Sequence, residues 1–282
     1  NLRLATSSDV TVIEFAYGAG GSWPRRASGL GSSLQLKDFD DDPNDSDTWR
    51  SSTERHGTPG AVGMQGFDSI RINEILAHTD LPLEDAVELF NPTDTSVDIS
   101  GWYLSDDVQV PAKYRFPNNT VIPPGGYHVA YQIQFDALNP LIPFAFSSVH
   151  GEEVWLMTDH PLTGQPHLFV DDLDFPSSEN GVSFGRIPNG TGSLTAMKEL
   201  SFGTDVSRED PPNQILVFRT GKGAANTEPQ VGPAAISRIM YHPPDGQYEF
   251  VEIRNITTSP LPLYDPLHAT NRFTLVGAVE FE

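Results

Sequence analysis

The 282-residue chain contains no cysteine. That excludes disulfides, thiolate metal sites and cysteine nucleophiles, and it is compatible with secretion without fixing a compartment. Basic side chains are scarce: 17 Lys and Arg stand against 38 Asp and Glu, a net charge of −21. A nucleic-acid partner is excluded, because phosphate backbones need clustered Lys and Arg. Binding to anionic lipid headgroups is disfavoured on the same ground. No run of about 18 apolar residues is present, so no helix is expected to span a membrane. The start, Asn1-Leu2-Arg3-Leu4-Ala5, lacks the charged and apolar regions of a signal peptide. The signal of a secreted parent protein would then lie upstream. Also missing are the Gly-x-Ser-x-Gly elbow, the phosphate-cradling GxxxxGK[ST] loop and the HExxH zinc motif.

What is present is apolar material in short pieces. Hydrophobic residues make up 38% and aromatics 10% of the chain, enough for a real core. Gly and Pro number 24 each and are spread along the whole length. Between them lie β-branched and aromatic runs: 10–17, 69–76, 86–91, 126–131, 152–158, 168–175 and 214–219. Several alternate apolar with polar, as half-buried strands do. Turn signals such as Pro117-Asn118-Asn119, Pro123-Pro124-Gly125-Gly126 and Pro188-Asn189-Gly190 separate them. The pattern predicts an all-β sandwich or barrel. No long amphipathic helix is expected, only a short helical turn near 136–141.

An internal repeat organises the chain. Ile72-Asn73-Glu74-Ile75-Leu76 matches Ile236-Ser237-Arg238-Ile239-Met240, and Val87-Glu88-Leu89-Phe90-Asn91-Pro92-Thr93 matches Val251-Glu252-Ile253-Arg254-Asn255-Ile256-Thr257. Val97-Asp98-Ile99 then matches Leu261-Pro262-Leu263, so one offset, 164 residues, serves all three matches. A gapped second repeat relates 9–17 and 31–36 to 168–175 and 181–186, and Gly57-Thr58-Pro59-Gly60-Ala61 to Gly221-Lys222-Gly223-Ala224-Ala225. Residues 1–65 therefore read as the C-terminal part of one domain. Residues 66–230 read as a complete domain with a C-terminal extension, and 231–282 as the N-terminal part of a third. The two partial domains both lack a counterpart of 115–150. The chain thus reads as a fragment of a longer polypeptide, with completion by strands of adjacent copies as the alternative.

Ile72-Asn73-Glu74-Ile75, Val87 to Thr93 and Val97-Asp98-Ile99-Ser100-Gly101-Trp102-Tyr103-Leu104-Ser105-Asp106-Asp107 resemble the opening of bacterial lamin-tail domains. Phe116-Pro117, Ile122-Pro123-Pro124-Gly125-Gly126-Tyr127 and Gly151-Glu152-Glu153-Val154-Trp155-Leu156 look like the family's following strands and turn. Asp265-Pro266-Leu267 departs from the pattern where Gly101-Trp102-Tyr103 would recur. The resemblance implies an immunoglobulin-like β-sandwich. It also implies a place in large secreted or surface proteins and no catalytic residues of its own. From physics alone, Trp102 on a Gly101 hinge should bury its ring, and Glu88 should point away from the core by strand alternation.

The densest acidic constellation is Asp38, Asp40, Asp41, Asp42, Asn44, Asp45 and Asp47. Calcium takes six to eight oxygen ligands, which makes Asp38, Asp40, Asp42, Asp45 and Asp47 candidate ligands, with a solvated loop as the alternative. Asp171, Asp172 and Asp174 lie on a predicted strand whose alternation splits them between faces. The eight histidines show no zinc spacing, and His78 and His242 fall at matching repeat positions, which suggests a role in loop structure. Asn44, Asn118, Asn189 and Asn255 stand in N-x-[ST] sequons. Trp23, Trp49, Tyr103, Tyr127 and Trp155 would form a sugar-stacking strip if they shared an exposed sheet face. The functional expectation is a non-catalytic structural or interaction region of a secreted or cell-surface bacterial protein. Its partners would be other domains of the parent chain or neighbouring copies. The alternative is a carbohydrate-binding module of a secreted degradative enzyme, with polysaccharide as partner.

Overall fold

The computed structural model describes residues 1–138, 140–147, 150–203, 211–264, 273 and 275. The chain divides into two compact units, Asn1–Pro229 and Gln230–Glu282. The departure at 265–267 lies outside the described residues.

The first unit is built around an all-β, immunoglobulin-like sandwich. Its strands are β5 (Arg71–Leu76), β6 (Ala86–Phe90), β7 (Val97–Asp98), β8 (Tyr103–Ser105), β9 (Tyr114–Arg115), β10 (Val121–Ile122), β11 (Tyr127–Tyr131), β12 (Glu152–Asp159), β13 (Pro166–Phe175), β14 (Phe184–Ile187) and β15 (Ser193–Ala196). Ahead of them come the hairpins β1 (Leu2–Ala5) with β2 (Thr11–Phe15), and β3 (Leu34–Leu36) with β4 (Trp49–Ser51). One sheet has the order β11-β6-β5-β14-β15, the other β13-β12-β8-β9, and β7 pairs with β10. Ile72, Ile75, Val87 and Leu89 of the first sheet meet Leu104, Val154, Leu156, Val170 and Leu173 of the second in one buried cluster.

The inward set follows strand alternation with one correction. The β5–β6 register steps from Ile72↔Leu89 to Glu74↔Glu88, leaving Asn73 as a bulge. One extra residue lets Ile72 and Ile75, three apart, share the core face. Trp102 is in the core, as its ring size predicts, and it follows Gly101 at φ +80°, a conformation that favours glycine.

Both outer faces of the sandwich are also covered. Beyond the five-stranded sheet, Leu76, Ala86, Val129 and Tyr131 pack against Phe202 and Phe218 of the C-terminal extension. Beyond the four-stranded sheet, Val108, Trp155, Met157 and Phe169 pack with Leu30 of the N-terminal segment. Residues 1–65 therefore belong to the same compact unit as the sandwich.

One strand expectation is overturned. Residues 214–219, read as a strand, fall largely in a helix, α1 (Pro211–Phe218). Pro-Pro at its start is pre-organised for a first helical turn, which a strand would not use. The segment lays a single ring, Phe218, edge-on against Tyr131 and Phe202 at 5.0 and 5.9 Å. The expected helical turn occurs as a π turn at Ile133–Leu138, anchored by buried Phe135.

The second unit contains the hairpin β16 (Ala234–Met240) with β17 (Phe250–Asn255). Its register copies β5–β6, including the bulge: Ile236↔Ile253 steps to Arg238↔Glu252. The turns after β6 and β17 match as well. Asn91 Nδ2 donates to Thr95 O and Asn255 Nδ2 to Ser259 O, both at 2.8 Å.

Removing the Phe218 ring tests whether the extension is part of the cooperative fold. Phe218→Ala should lower unfolding stability by about 3–5 kcal/mol in urea titration, as core Phe truncations do. A cost within about 0.5 kcal/mol, typical of surface positions, would mean that the extension is only laid on the sheet.

Candidate functional site

Two polar clusters hold the outer layers onto the sandwich. The first lies on the four-stranded sheet. Arg25 and Arg26 occupy a 3-10 turn, Arg25–Ala27. Asp172 of β13 accepts from both guanidinium groups, at 2.6 and 2.7 Å. Arg25 also reaches Asp174 at 2.7 Å and Glu153 at 3.3 Å. The same cations lie over aromatic rings, Arg25 over Trp155 and Arg26 over Phe169, each 5.1 Å from the centroid. Main chain joins too: Phe169 N–H donates to Thr53 O (2.8 Å) and Arg55 N–H to His167 O (3.1 Å). Residues 53–55 thus extend the sheet beyond the edge of β13. The carboxylates divide between faces as alternation requires. Asp171 instead accepts from Ile72 N–H at 2.8 Å and from Arg186. Burial pushes the Asp171 carboxyl up, and Arg186 opposes that shift.

The second cluster lies on the far side of the five-stranded sheet. Glu88 does point away from the core, as alternation predicts, yet it is fully buried beneath the C-terminal extension. Its oxygens accept from Asn73 Nδ2 at 2.7 Å and from Ala224 N–H at 3.0 Å. Glu74, opposite it in register, accepts from the hydroxyls of Ser183 and Ser201. Asn226 Nδ2 bridges Asn73 O and Arg186 O at 3.0 and 2.9 Å. Gly223, at φ +87°, leaves room for the Glu88 carboxyl, since a Cβ there would lie 2.5 Å from Oε2. Burial raises Glu88 to about 9 against the Asn73 hydrogen bond, with the charge of Glu74 adding to the rise. Burial raises Glu74 as well, opposed by the two serines. Nearby, burial lifts Asp85 to about 7 although it accepts from Phe146 N–H, and Arg219 after α1 clamps Glu84 with two hydrogen bonds, at 2.5 and 2.9 Å.

Strand alternation gave the direction of Glu88 but carried no signal that this face is roofed. The partners at 183, 201, 224 and 226 are more than 90 residues away in sequence, and no local pattern announces them.

The acidic loop lies between β3 and β4 and faces solvent. Asp38, Asp42 and Asp45 each accept from a main-chain N–H two residues on, those of Asp40, Asn44 and Asp47. These are Asx turns, which shape the loop from within. Among the described residues no three His, Cys, Asp or Glu side chains come together as a metal-holding group. His78 Nδ1 lies 2.7 Å from Ser178 O. The proposed aromatic strip does not form. Trp155 and Tyr103 are buried at 1% and 4% exposure. Trp23 packs on Trp49, Trp49 on Phe15, and Tyr127 stacks on Phe90. The cause is the cover over both sheets, which turns outward-facing rings into interlayer packing.

Open apolar surface is concentrated instead on two hairpins. Leu2, Leu4, Val12 and Ile13 of β1–β2 are exposed. On β16–β17, Ile236, Ile239 and Ile253 are 54%, 60% and 50% exposed, whereas their repeat counterparts Ile72, Ile75 and Leu89 are fully buried.

The family model of the lamin tail domain matches residues 65–160, from just before β5 through β12. No curated protein and no solved structure matches the chain.

The raised carboxyls predict the pH dependence of stability. Fold-raised Glu88 holds a proton that the unfolded chain releases near its ordinary value of 4.5. Its contribution is complete below that pH and declines up to about 9, with a slope of at most about 1.4 kcal/mol per pH unit. Asp85 acts likewise from 3.8 to about 7. Melting temperature should fall from pH 7 to 9, and Glu88→Gln should flatten that decline. An unchanged slope in the variant would mean that Glu88 is ionised in the fold. For the arginine cluster, the double substitution Arg25→Ala, Arg26→Ala should speed chymotryptic release of residues 1–65 about tenfold or more. Equal cleavage rates would show that main-chain pairing alone holds the segment.

Proposed function

We propose that this chain is a non-catalytic structural and interaction region of a larger secreted or cell-surface bacterial protein, acting in extracellular assembly or adhesion. One observation carries the non-catalytic part. The carboxyl groups with raised pKa, at Glu74, Asp85, Glu88 and Asp171, are each engaged by donors that join layers or strands. They do not converge on a cavity where a substrate would meet them, as an active site requires. The match of 65–160 to the lamin tail domain, a non-enzymatic immunoglobulin-like family, supports the same reading. The extracellular setting is supported by the cysteine-free, strongly acidic composition and by the family resemblance. Partners in this reading are other domains of the parent protein or neighbouring copies, reached through the exposed hairpin faces.

Antibodies raised against residues 66–230 should label intact cells of the source organism or detect the protein in the culture medium. Recovery solely from the cytosolic fraction would overturn the extracellular assignment.

A further inference from the structure

The two open hairpins fit a single joint that the complete sandwich already displays. In the sandwich, β14 pairs with β15 on one side and with β5 on the other. The pairs across the second contact are Phe184↔Ile75 and Gly185↔Glu74. By the internal repeat, β3–β4 corresponds to β14–β15: Leu34 pairs with Ser51 as Phe184 pairs with Ala196. By the 164-residue offset, β16–β17 corresponds to β5–β6 in every pair of its register. Yet β3 pairs with β4 alone among the strands, and β16 with β17 alone. The two edges that meet in the sandwich are both left open.

The open edge of β3 borders a groove of about 630 Å³. Ser33, Gln35 and Leu36 line one side, and Pro59, Gly60 and Val62 the other. In the sandwich, the equivalent space between β14 and the loop at 221–226 is spanned by β5 and β6. That loop reaches them through Asn226 on Asn73 and Ala224 on Glu88. Gly63 sits against the Gln35 side chain as Asn226 sits against Gly185. The groove therefore has the receiving half of the joint already formed. Arg50, which lines it, keeps its buried Nε without a hydrogen-bond partner.

We infer that the groove beside β3 receives the β16–β17 hairpin of a second copy of this chain, so that copies join head to tail by strand addition. Transferring the sandwich register sets Leu34 opposite Ile239 and Gln35 opposite Arg238. On the core face, Leu34 then continues the row of Ile239 and Val251. On the outer face the row reads Glu252, Arg238, Gln35, Arg50, in which the Gln35 carbonyl can accept from the arginine on either side. Ile236, Ile239 and Ile253 lose their exposed surface as Ile72, Ile75 and Leu89 do. The counterpart of β11, which neither hairpin supplies, is an end strand in the sandwich sheet, so its absence interrupts no ladder. A heterologous contact of this kind does not close on itself as a two-fold dimer does, and it propagates into chains or rings.

This inference rests on the assembly reading and names its partner. Its test uses the absence of native cysteine. Full-length Gln35→Cys and Arg238→Cys variants are mixed and oxidised, beside a control mixture of Gln35→Cys with Glu179→Cys. The expected result is an interchain 35–238 disulfide formed at least tenfold faster than in the control. Light scattering of the unaltered chain should show a mass rising with concentration above 30.9 kDa, and Ile239→Glu should abolish the rise. A concentration-independent monomer, cross-linking no faster than the control, or a purely intrachain bond in the double variant would each overturn the inference. Labelling of intact cells, which tests the extracellular reading, is independent of all three results.

Discussion

Asn73 is the residue on which the layers of the first unit converge. As the extra residue of the β5 bulge it belongs to neither side of the strand's alternation. Its Nδ2 lies within hydrogen-bond reach of Glu88, Asn189 and Asn226, and its Oδ1 accepts from Gly190 N–H at 2.8 Å. One amide thus ties β6, the β14–β15 turn and the C-terminal extension to a central strand. A buried amide of this kind is stabilising only when its partners are all present, because each unmatched polar group in a dry interior costs about 1–3 kcal/mol. The network is therefore all-or-none, and it fixes the order in which the cover can be laid. The extension can seat only on a sheet whose bulge is formed. The second unit keeps the same arrangement in smaller form, with Ser237 in the place of Asn73 and its hydroxyl on Glu252.

Much of the architecture could be read from the residues, for identifiable reasons. Period-two alternation placed β2, β5, β6, β11, β12 and β13 because those strands have one face on a core and one elsewhere. The Asn91 turn and the Gly101–Trp102 step were legible because each needs a residue type with few substitutes. The shared offset of 164 residues anticipated a hairpin whose register and bulge coincide with those of β5–β6. The α1 segment was misread because a short apolar run fits a strand or a helix equally well by period alone. What decided it was an apolar patch on another sheet, which no window of local sequence contains.

The cover over both sheets was not legible, and several site expectations depended on it. Alternation says which way a side chain points; it does not say whether water or protein lies there. Trp155, Tyr103 and Glu88 all point outward and are all buried, because segments before and after the sandwich close over them. Surface charge was equally silent about location. The arginines at 25 and 26 are two of only 17 basic residues, and both are placed against β13 beside Asp172. In so acidic a chain, cations so placed direct where the N-terminal segment lands.

The repeated hairpins also differ in one instructive way. The β14–β15 connection is the short turn at 188–192, whereas the equivalent β3–β4 connection runs through the acidic stretch at 37–48. The same strand pair thus accommodates tips of very different length. Loop closure makes this inexpensive, since each doubling of a flexible loop costs only about 0.6 kcal/mol. The tip of this hairpin is thus a position where descendants of a common module can diverge, acquiring new sequence without renegotiating the strands beneath. An evolutionary lineage of such repeats could vary its outward-facing chemistry at that one point while inheriting the joinery unchanged.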